Sequence, residues 1–320
     1  MGYSEKNWLR EPPLQPAQRK RRSISVLPTL LTLGNLLCGF AALVYTSADV
    51  PAGALGVLPF NFSLAAYLIF AAMVCDMLDG SLARLARSTS DFGAELDSLA
   101  DVVSFGIVPA FLSLKVIFYL LSAGDTGMPA IVGPMAENLE GRFCWVAAAI
   151  YVACTALRLA RFNTSNTHDP DSHMIFLGLP SPGAAGVLAA SVIFFGAIQA
   201  GSPHVLPFNV PPGVVMFCKS VFPYALPLIT LLLSALMVSR ISYDHVINQY
   251  LRRYRPFAHV VRLVVFLLLA LWLVLWQPQL MVLVVIYLYA FFPPVRALWR
   301  KLWHKEPMEE PEIEQLDDSP

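Results

Sequence analysis

The chain has 320 residues, of which 57% are hydrophobic and only 14% charged, and its 22 basic and 22 acidic side chains cancel to zero net charge. Globular proteins average about 25% charged residues, and here the charges crowd the two ends, leaving 25 between positions 23 and 294. So few charges exclude a soluble domain of that size, and a neutral chain lacks the basic footprint of a nucleic-acid binder.

In chain order, residues 1–22 are basic and proline-containing and read as a disordered cytoplasmic tail. A hydrocarbon core about 30 Å thick needs about 20 apolar residues per helix. That ruler predicts an all-α integral membrane protein, a bundle of about eight transmembrane helices. The spans fall at roughly 26–46, 64–86, 93–121, 143–162, 182–200, 217–239, 258–276 and 278–295. Only Gln277-Pro278-Gln279 separates the last two, which predicts a tight hairpin. Residues 299–320 read as an acidic disordered tail. The basic run at 19–22 and the group Trp299, Arg300, Lys301 and Trp303 suit anionic lipid headgroups. With both termini cytoplasmic, 19 of the 22 Lys and Arg residues fall on the cytoplasmic side. The run at 19–22 leads into a span too long for a signal peptide, so no cleavable leader is expected. Cys38, Cys75, Cys144, Cys154 and Cys218 lie in apolar stretches without a CxxC pair, which argues against a disulfide framework or a thiolate metal site.

The second and third spans carry carboxylates that a membrane helix should avoid: Asp76, Asp79, Asp97 and Asp101, with Glu95 beside them. Ion pairs with Arg84 or Arg87 would explain one or two of these acids, not four. At 100° per residue, Asp76, Asp79, Gly80 and Ala83 share one stripe, and Gly93, Asp97 and Asp101 share another. A short polar link, with Ser90 or Asp91 as N-cap, makes the two spans antiparallel neighbours. The four carboxylates then converge on a pocket open to the cytoplasm. Four carboxylates without His or Cys describe a hard-cation site for Mg²⁺ or Mn²⁺, with two ions about 4 Å apart as the expected arrangement. Gly80 and Gly93 face the same pocket and let a bulky group approach. The chemistry indicated is a metal-assisted reaction on a phosphate-bearing substrate.

The string Asp76-x2-Asp79-Gly80-x2-Ala83-Arg84-x8-Gly93-x3-Asp97-x3-Asp101 resembles the signature of the CDP-alcohol phosphatidyltransferases, with every position filled. The resemblance implies that Asp76, Asp79 and Asp97 bind metal and that Asp101 binds metal and acts as general base. It further implies that Gly80, Arg84, Ser90 and Gly93 contact the nucleotide and diphosphate of CDP-diacylglycerol, with CMP as the leaving group.

Three more segments resemble one branch of that family, the smaller integral-membrane phosphatidylserine synthases. They are residues 27–35 with Cys38-Gly39-Phe40, residues 156–163, and Gly178-Leu179-Pro180-Ser181-Pro182. This resemblance implies serine as acceptor, Thr32 and Asn35 as nucleotide contacts, and a homodimer in the cell inner membrane with its active site facing the cytoplasm. Asn35 can also be read as a simple interhelical hydrogen-bonding residue. Arg158 and Arg161 are candidates for the serine carboxylate or a phosphate, or are positive-inside residues only. Pro180 and Pro182 read as helix starters. The catalytic bundle is expected over 23–200, with 201–298 forming additional spans. Open alternatives are glycerol phosphate, inositol phosphate or choline as acceptor, an intramembrane prenyltransferase, or a membrane ion or metal transporter.

Overall fold

The computed structural model describes residues 26–48, 58–85, 91–122, 133–136, 138–165, 178–200, 211–241, 243 and 278–303. Every regular element among them is helical: α1 (Val26–Ser47), α2 (Phe60–Leu85), α3 (Asp91–Asp101), a π-helical turn (Val102–Ile107), α4 (Val108–Ser122), α5 (Leu139–Ser165), α6 (Ser181–Gln199), α7 (Pro212–Val238) and α8 (Pro278–Trp303). The segment from α3 to α4 is one continuous rod, so the described residues contain seven helices long and apolar enough to cross a membrane. The protein is a multi-pass membrane protein. The span expected at 258–276, its hairpin, residues 1–22 and Ser90 lie outside the described residues. α8 continues through Pro293 and Pro294 to Trp303, so helix occupies the first five residues of the segment read as an acidic tail.

α6 is the central helix, and its composition explains why. Gly183, Ala184, Ala185, Gly186, Ala189, Ala190 and Gly196 are buried along it, and small residues let neighbouring backbones approach where no water drives helices together. α2, α4, α7, α8 and the π turn all lean on it. At one end Leu58 N–H donates to Gln199 Oε1 at 2.6 Å, tying the start of α2 to the end of α6. At the other, Pro180 in extended backbone and Pro182 inside the first turn start α6, as the sequence implies. Gly178, at φ 85°, turns the chain just before this helix. Its N–H donates to Ile241 O at 2.8 Å, and Leu179 N–H to Leu236 O at 3.0 Å. A Cβ at Gly178 would meet Met237 O, so both the φ and the close approach require glycine.

The π turn follows Asp101 directly and is fixed from two sides. Ser104 Oγ donates to the Asn35 carbonyl at 3.1 Å from α1. Tyr151, wholly buried on α5, donates its hydroxyl to Phe105 O at 3.1 Å. A π turn widens the helix and releases backbone carbonyls for such contacts. α1 comes this close because position 39 has no side chain: a Cβ there would strike Ser104 Oγ and lie 3.1 Å from Ser104 Cα.

Gly39→Ala is therefore expected to lower the melting temperature of the detergent-solubilised protein by several degrees, since overpacking costs about 1–3 kcal/mol. Gly213→Ala, where an added Cβ meets open space, should melt as wild type does. Equal melting of the two variants would show that α1 does not press on the π turn.

Candidate active site

The site forms where α2 ends and α3 begins. One carboxylate oxygen from each of Asp76, Asp97 and Asp101 lies within 4.8 Å of the other two. Asp76 comes from α2, the other two from α3 one turn apart, so the spacing of the sequence becomes a three-pronged cluster. Asp101 is buried and the other two are half-buried. The Oδ1 atom of Asp97 is buried with no hydrogen-bond partner. A buried anionic oxygen in that state is costly unless a cation meets it.

Asp79 stands beside this trio, near enough to interact electrostatically with all three. It is 5% exposed and held by α1. Thr32 Oγ1 lies 2.9 Å from Asp79 Oδ2 and 3.1 Å from the Pro28 carbonyl. A hydroxyl has one hydrogen to give, and the charged acceptor makes the stronger bond. One turn further along α1, Asn35 Nδ2 donates to Asp101 Oδ1 at 3.1 Å. The remaining amide oxygen of Asn35 is buried without a partner. Thr32 and Asn35, read from the sequence as nucleotide contacts, thus meet the carboxylates here. For Asn35 the interhelical bond anticipated as its simpler role is present.

Gly80 leaves open space beside the acids: among the described residues, nothing outside its own stretch of helix lies within 4 Å of where its Cβ would stand. Gly93 is half-buried on the first turns of α3. Arg84 occupies the last turn of α2, and Ser90 falls outside the described residues.

The opposite wall comes from α5 and α6. Tyr151, Thr155 and Arg158 share a face of α5 at i, i+4, i+7, and the first two are wholly buried. Arg158 Nη1 donates to Ser181 Oγ at 2.8 Å, while Nε is buried with no partner. Its guanidinium interacts electrostatically with Asp101 and Asp76. Arg161, three residues on, is exposed. Of the two candidate acceptor arginines, the structure brings Arg158 to the acids and leaves Arg161 on the surface. Below it, Asn163 Nδ2 donates to Ser98 Oγ at 2.9 Å and joins the ends of α5 and α3.

Residues 25–222 match the family model for CDP-alcohol phosphatidyltransferase. The chain belongs to the CDP-alcohol phosphatidyltransferase family. Among its relatives are proteins named CDP-diacylglycerol–serine O-phosphatidyltransferase. The one from Helicobacter pylori is 31% identical over 203 residues, covering 62% of this chain and 72% of the relative. The one from Methanocaldococcus jannaschii is 31% identical over 205 residues, covering 64% and 73%. A third, from Bacillus subtilis, is 33% identical over 159 residues, covering 50% and 71%.

In this phosphatidyltransferase the donor set suits a divalent cation: three converging carboxylates, one with an orphaned oxygen, and no nitrogen or sulfur ligand among them. Ser181 and Ser98 escaped the sequence reading. Ser181 lies within a segment already singled out, but it stood there as a neighbour of helix-starting prolines. Nothing in the sequence distinguished Ser98 from any hydroxyl on a polar helix face.

Asp97→Asn should weaken Mn²⁺ binding by about 100-fold or more, measured as free Mn²⁺ by EPR in detergent. Thr32→Val, which removes only the partner of a carboxylate, should cost about tenfold. Unchanged Mn²⁺ affinity in Asp97→Asn would show that the trio is not a metal site.

Proposed function

We propose that this chain transfers the phosphatidyl group of CDP-diacylglycerol to the hydroxyl of L-serine, giving phosphatidylserine and CMP. The observation that carries this reading is the acidic trio with Arg158 in electrostatic range of two of its members, and the names of the relatives support it. Asp76, Asp79, Asp97 and Asp101 are the metal-binding set, for Mg²⁺ or Mn²⁺ and two ions. Bound there, the metal would neutralise the diphosphate and lower its repulsion of the incoming oxygen.

The residues of the chain do the rest. Gly80, Gly93, Arg84 and Ser90 receive the nucleotide and diphosphate, and the open space at Gly80 accommodates its bulk. Thr32 and Asn35 contribute by fixing the carboxylates that face the donor. The serine hydroxyl attacks the lipid-side phosphorus in line, its proton passes to Asp101, and the P–O bond to CMP breaks. Arg158 takes the carboxylate of serine, for which its planar fork is suited.

Other acceptors fit less well. Glycerol phosphate and inositol phosphate call for more cations than Arg158 supplies, and choline would set an ammonium against a guanidinium. A transporter strings its carboxylates along a path across the bilayer. Here, among the described residues, α5 to α8 contain no Asp or Glu beyond Glu140 in the first turn of α5.

The distribution of Lys and Arg supports a cytoplasmic-membrane location with both termini and the site on the cytoplasmic face. The family resemblance supports a homodimer and a catalytic unit over about 23–200, with the later helices as additions. The deciding experiment supplies detergent-purified protein and CDP-diacylglycerol with each alcohol in turn and measures CMP. Release should require serine, stop in EDTA, and return with Mg²⁺ or Mn²⁺ but not Zn²⁺. Release with glycerol phosphate alone would overturn the choice of acceptor.

Asp101→Asn keeps an oxygen ligand but cannot take a proton, so kcat should fall by about 10²-fold or more while CDP-diacylglycerol affinity survives. Loss of donor binding as severe as in Asp97→Asn would make Asp101 chiefly a ligand. Arg158→Ala should raise the serine KM by about tenfold or more with the donor KM nearly unchanged. Arg161→Ala should stay near wild type. The opposite ranking would move the acceptor subsite to the outer face of α5.

A further inference from the structure

α8 lies beyond the family match at 25–222, yet it reaches the acceptor side of the site. It packs along α6 through side chains that fill glycine notches. The edge of the Tyr289 ring lies over Gly183, where a Cβ would be 2.8 Å from Tyr289 Cε1, and Ile286 lies over Gly186 at 3.2 Å. Lower down, the hydroxyls of Tyr287 and Ser191 are 2.8 Å apart. Tyr243, from the segment after α7, steadies the upper contact. Its ring is 6.2 Å from that of Tyr289, and its hydroxyl donates to the Ala290 carbonyl at 3.0 Å.

Gly183 is two residues from Ser181, which holds Arg158. Tyr289 packs on the first turn of α6 and lies within electrostatic range of the guanidinium. It is 48% exposed. Three donor groups come from this part of the molecule. Arg158 has a buried Nε with no partner. Ser181 accepts from Arg158 and so keeps its own hydroxyl hydrogen to give. Tyr289 adds a phenolic hydroxyl on a ring that packing holds in place. Donors of this kind around a guanidinium describe a receptor for a small carboxylate.

We propose that Tyr289 and Ser181 complete the subsite that takes the carboxylate of the acceptor beside Arg158, so that a helix outside the family domain sets acceptor specificity. The inference rests on serine being the acceptor. Tyr289 is a specificity-determining residue in this scheme and takes no part in the bond changes.

The test compares L-serine with serinamide, which lacks the charged carboxylate, in wild type, Tyr289→Phe and Ser181→Ala. Tyr289→Phe keeps the ring against Gly183 and Tyr243 and loses only the hydroxyl. It should raise the serine KM by about tenfold, the worth of one hydrogen bond to a charged group. The donor KM, kcat and serinamide kinetics should not move, so the preference for serine over serinamide falls by the same factor. Ser181→Ala should lower that preference too, which keeps the proposal open to refutation if the tyrosine variant is recovered poorly. A wild-type serine KM in Tyr289→Phe, or equal losses for serine, serinamide and donor, would reduce Tyr289 to packing and overturn the proposal alone. Wild-type protein that releases no CMP with serine would overturn the proposed function, and this inference with it.

Discussion

A carboxylate placed at the centre of a membrane helix costs about 2.5 kcal/mol or more, and this molecule gathers four at one end of a hairpin. Each like charge raises the cost of the next, so the cluster persists only if the rest of the chain answers it. The answer comes from three directions. α1 supplies donors to Asp79 and Asp101 through Thr32 and Asn35. α5 supplies the guanidinium of Arg158. A buried oxygen without a partner, Oδ1 of Asp97, stands open to a cation that is not protein. A hydrophobic bundle would gain stability by losing these acids, and a cluster that could hold such an ion gives a reason to keep them.

Holding the acids at fixed positions constrains elements far from them. Asn35 can reach Asp101 only if α1 lies tight against the π turn, which is why Gly39 faces Ser104 and why Ser104 grips the Asn35 carbonyl from behind. Arg158 can face the acids only if its other side is held, and Ser181 does this from the first turn of α6. Ser181 in turn depends on Gly178 and Leu179, which are bonded to the end of α7. Positioning of this kind, in which each polar contact is backed by another, keeps a reactive geometry within the tolerance that catalysis needs.

The donor half of the site was legible in the sequence because it is local. Asp76, Asp79, Asp97 and Asp101 fall within 26 residues, on two helices joined by a short link, and helical periodicity alone brings them together. The helix-starting prolines of α6 were legible for the same reason. Other features were hidden by long range or by lack of a distinctive residue type. The π turn after Asp101 has no sequence mark: Val102 to Ile107 reads as ordinary apolar helix. Thr32 and Asn35 were visible as unusual polar residues, but the sequence could not say whether they would face a ligand or the carboxylates. Arg158 and Arg161 look alike in sequence, and the two differ by about 60° around the helix. Only the packing of α5 on α7 and the π turn decides which of them faces inward.

The two halves of the site therefore differ in how they are made. The donor half comes from residues 32 to 101 and is fixed by one hairpin and the helix beside it. The proposed acceptor half comes from Arg158 on α5 and Ser181 on α6, which are far apart in sequence and meet only through the packing of the bundle. The halves meet where Arg158 comes within electrostatic range of Asp101 and Asp76. In the proposed scheme the donor and metal depend on the hairpin and on the α1 and α5 groups that hold its acids, whereas the acceptor depends on how α5, α6 and α8 pack together. Because residues more than about 7–10 Å apart without shared partners act nearly additively, acceptor-side changes that spare Arg158 can, in the proposed scheme, alter the choice of alcohol while leaving the metal cluster intact. One donor chemistry can then serve different alcohols, since the acids do not have to move when the opposite wall is rebuilt.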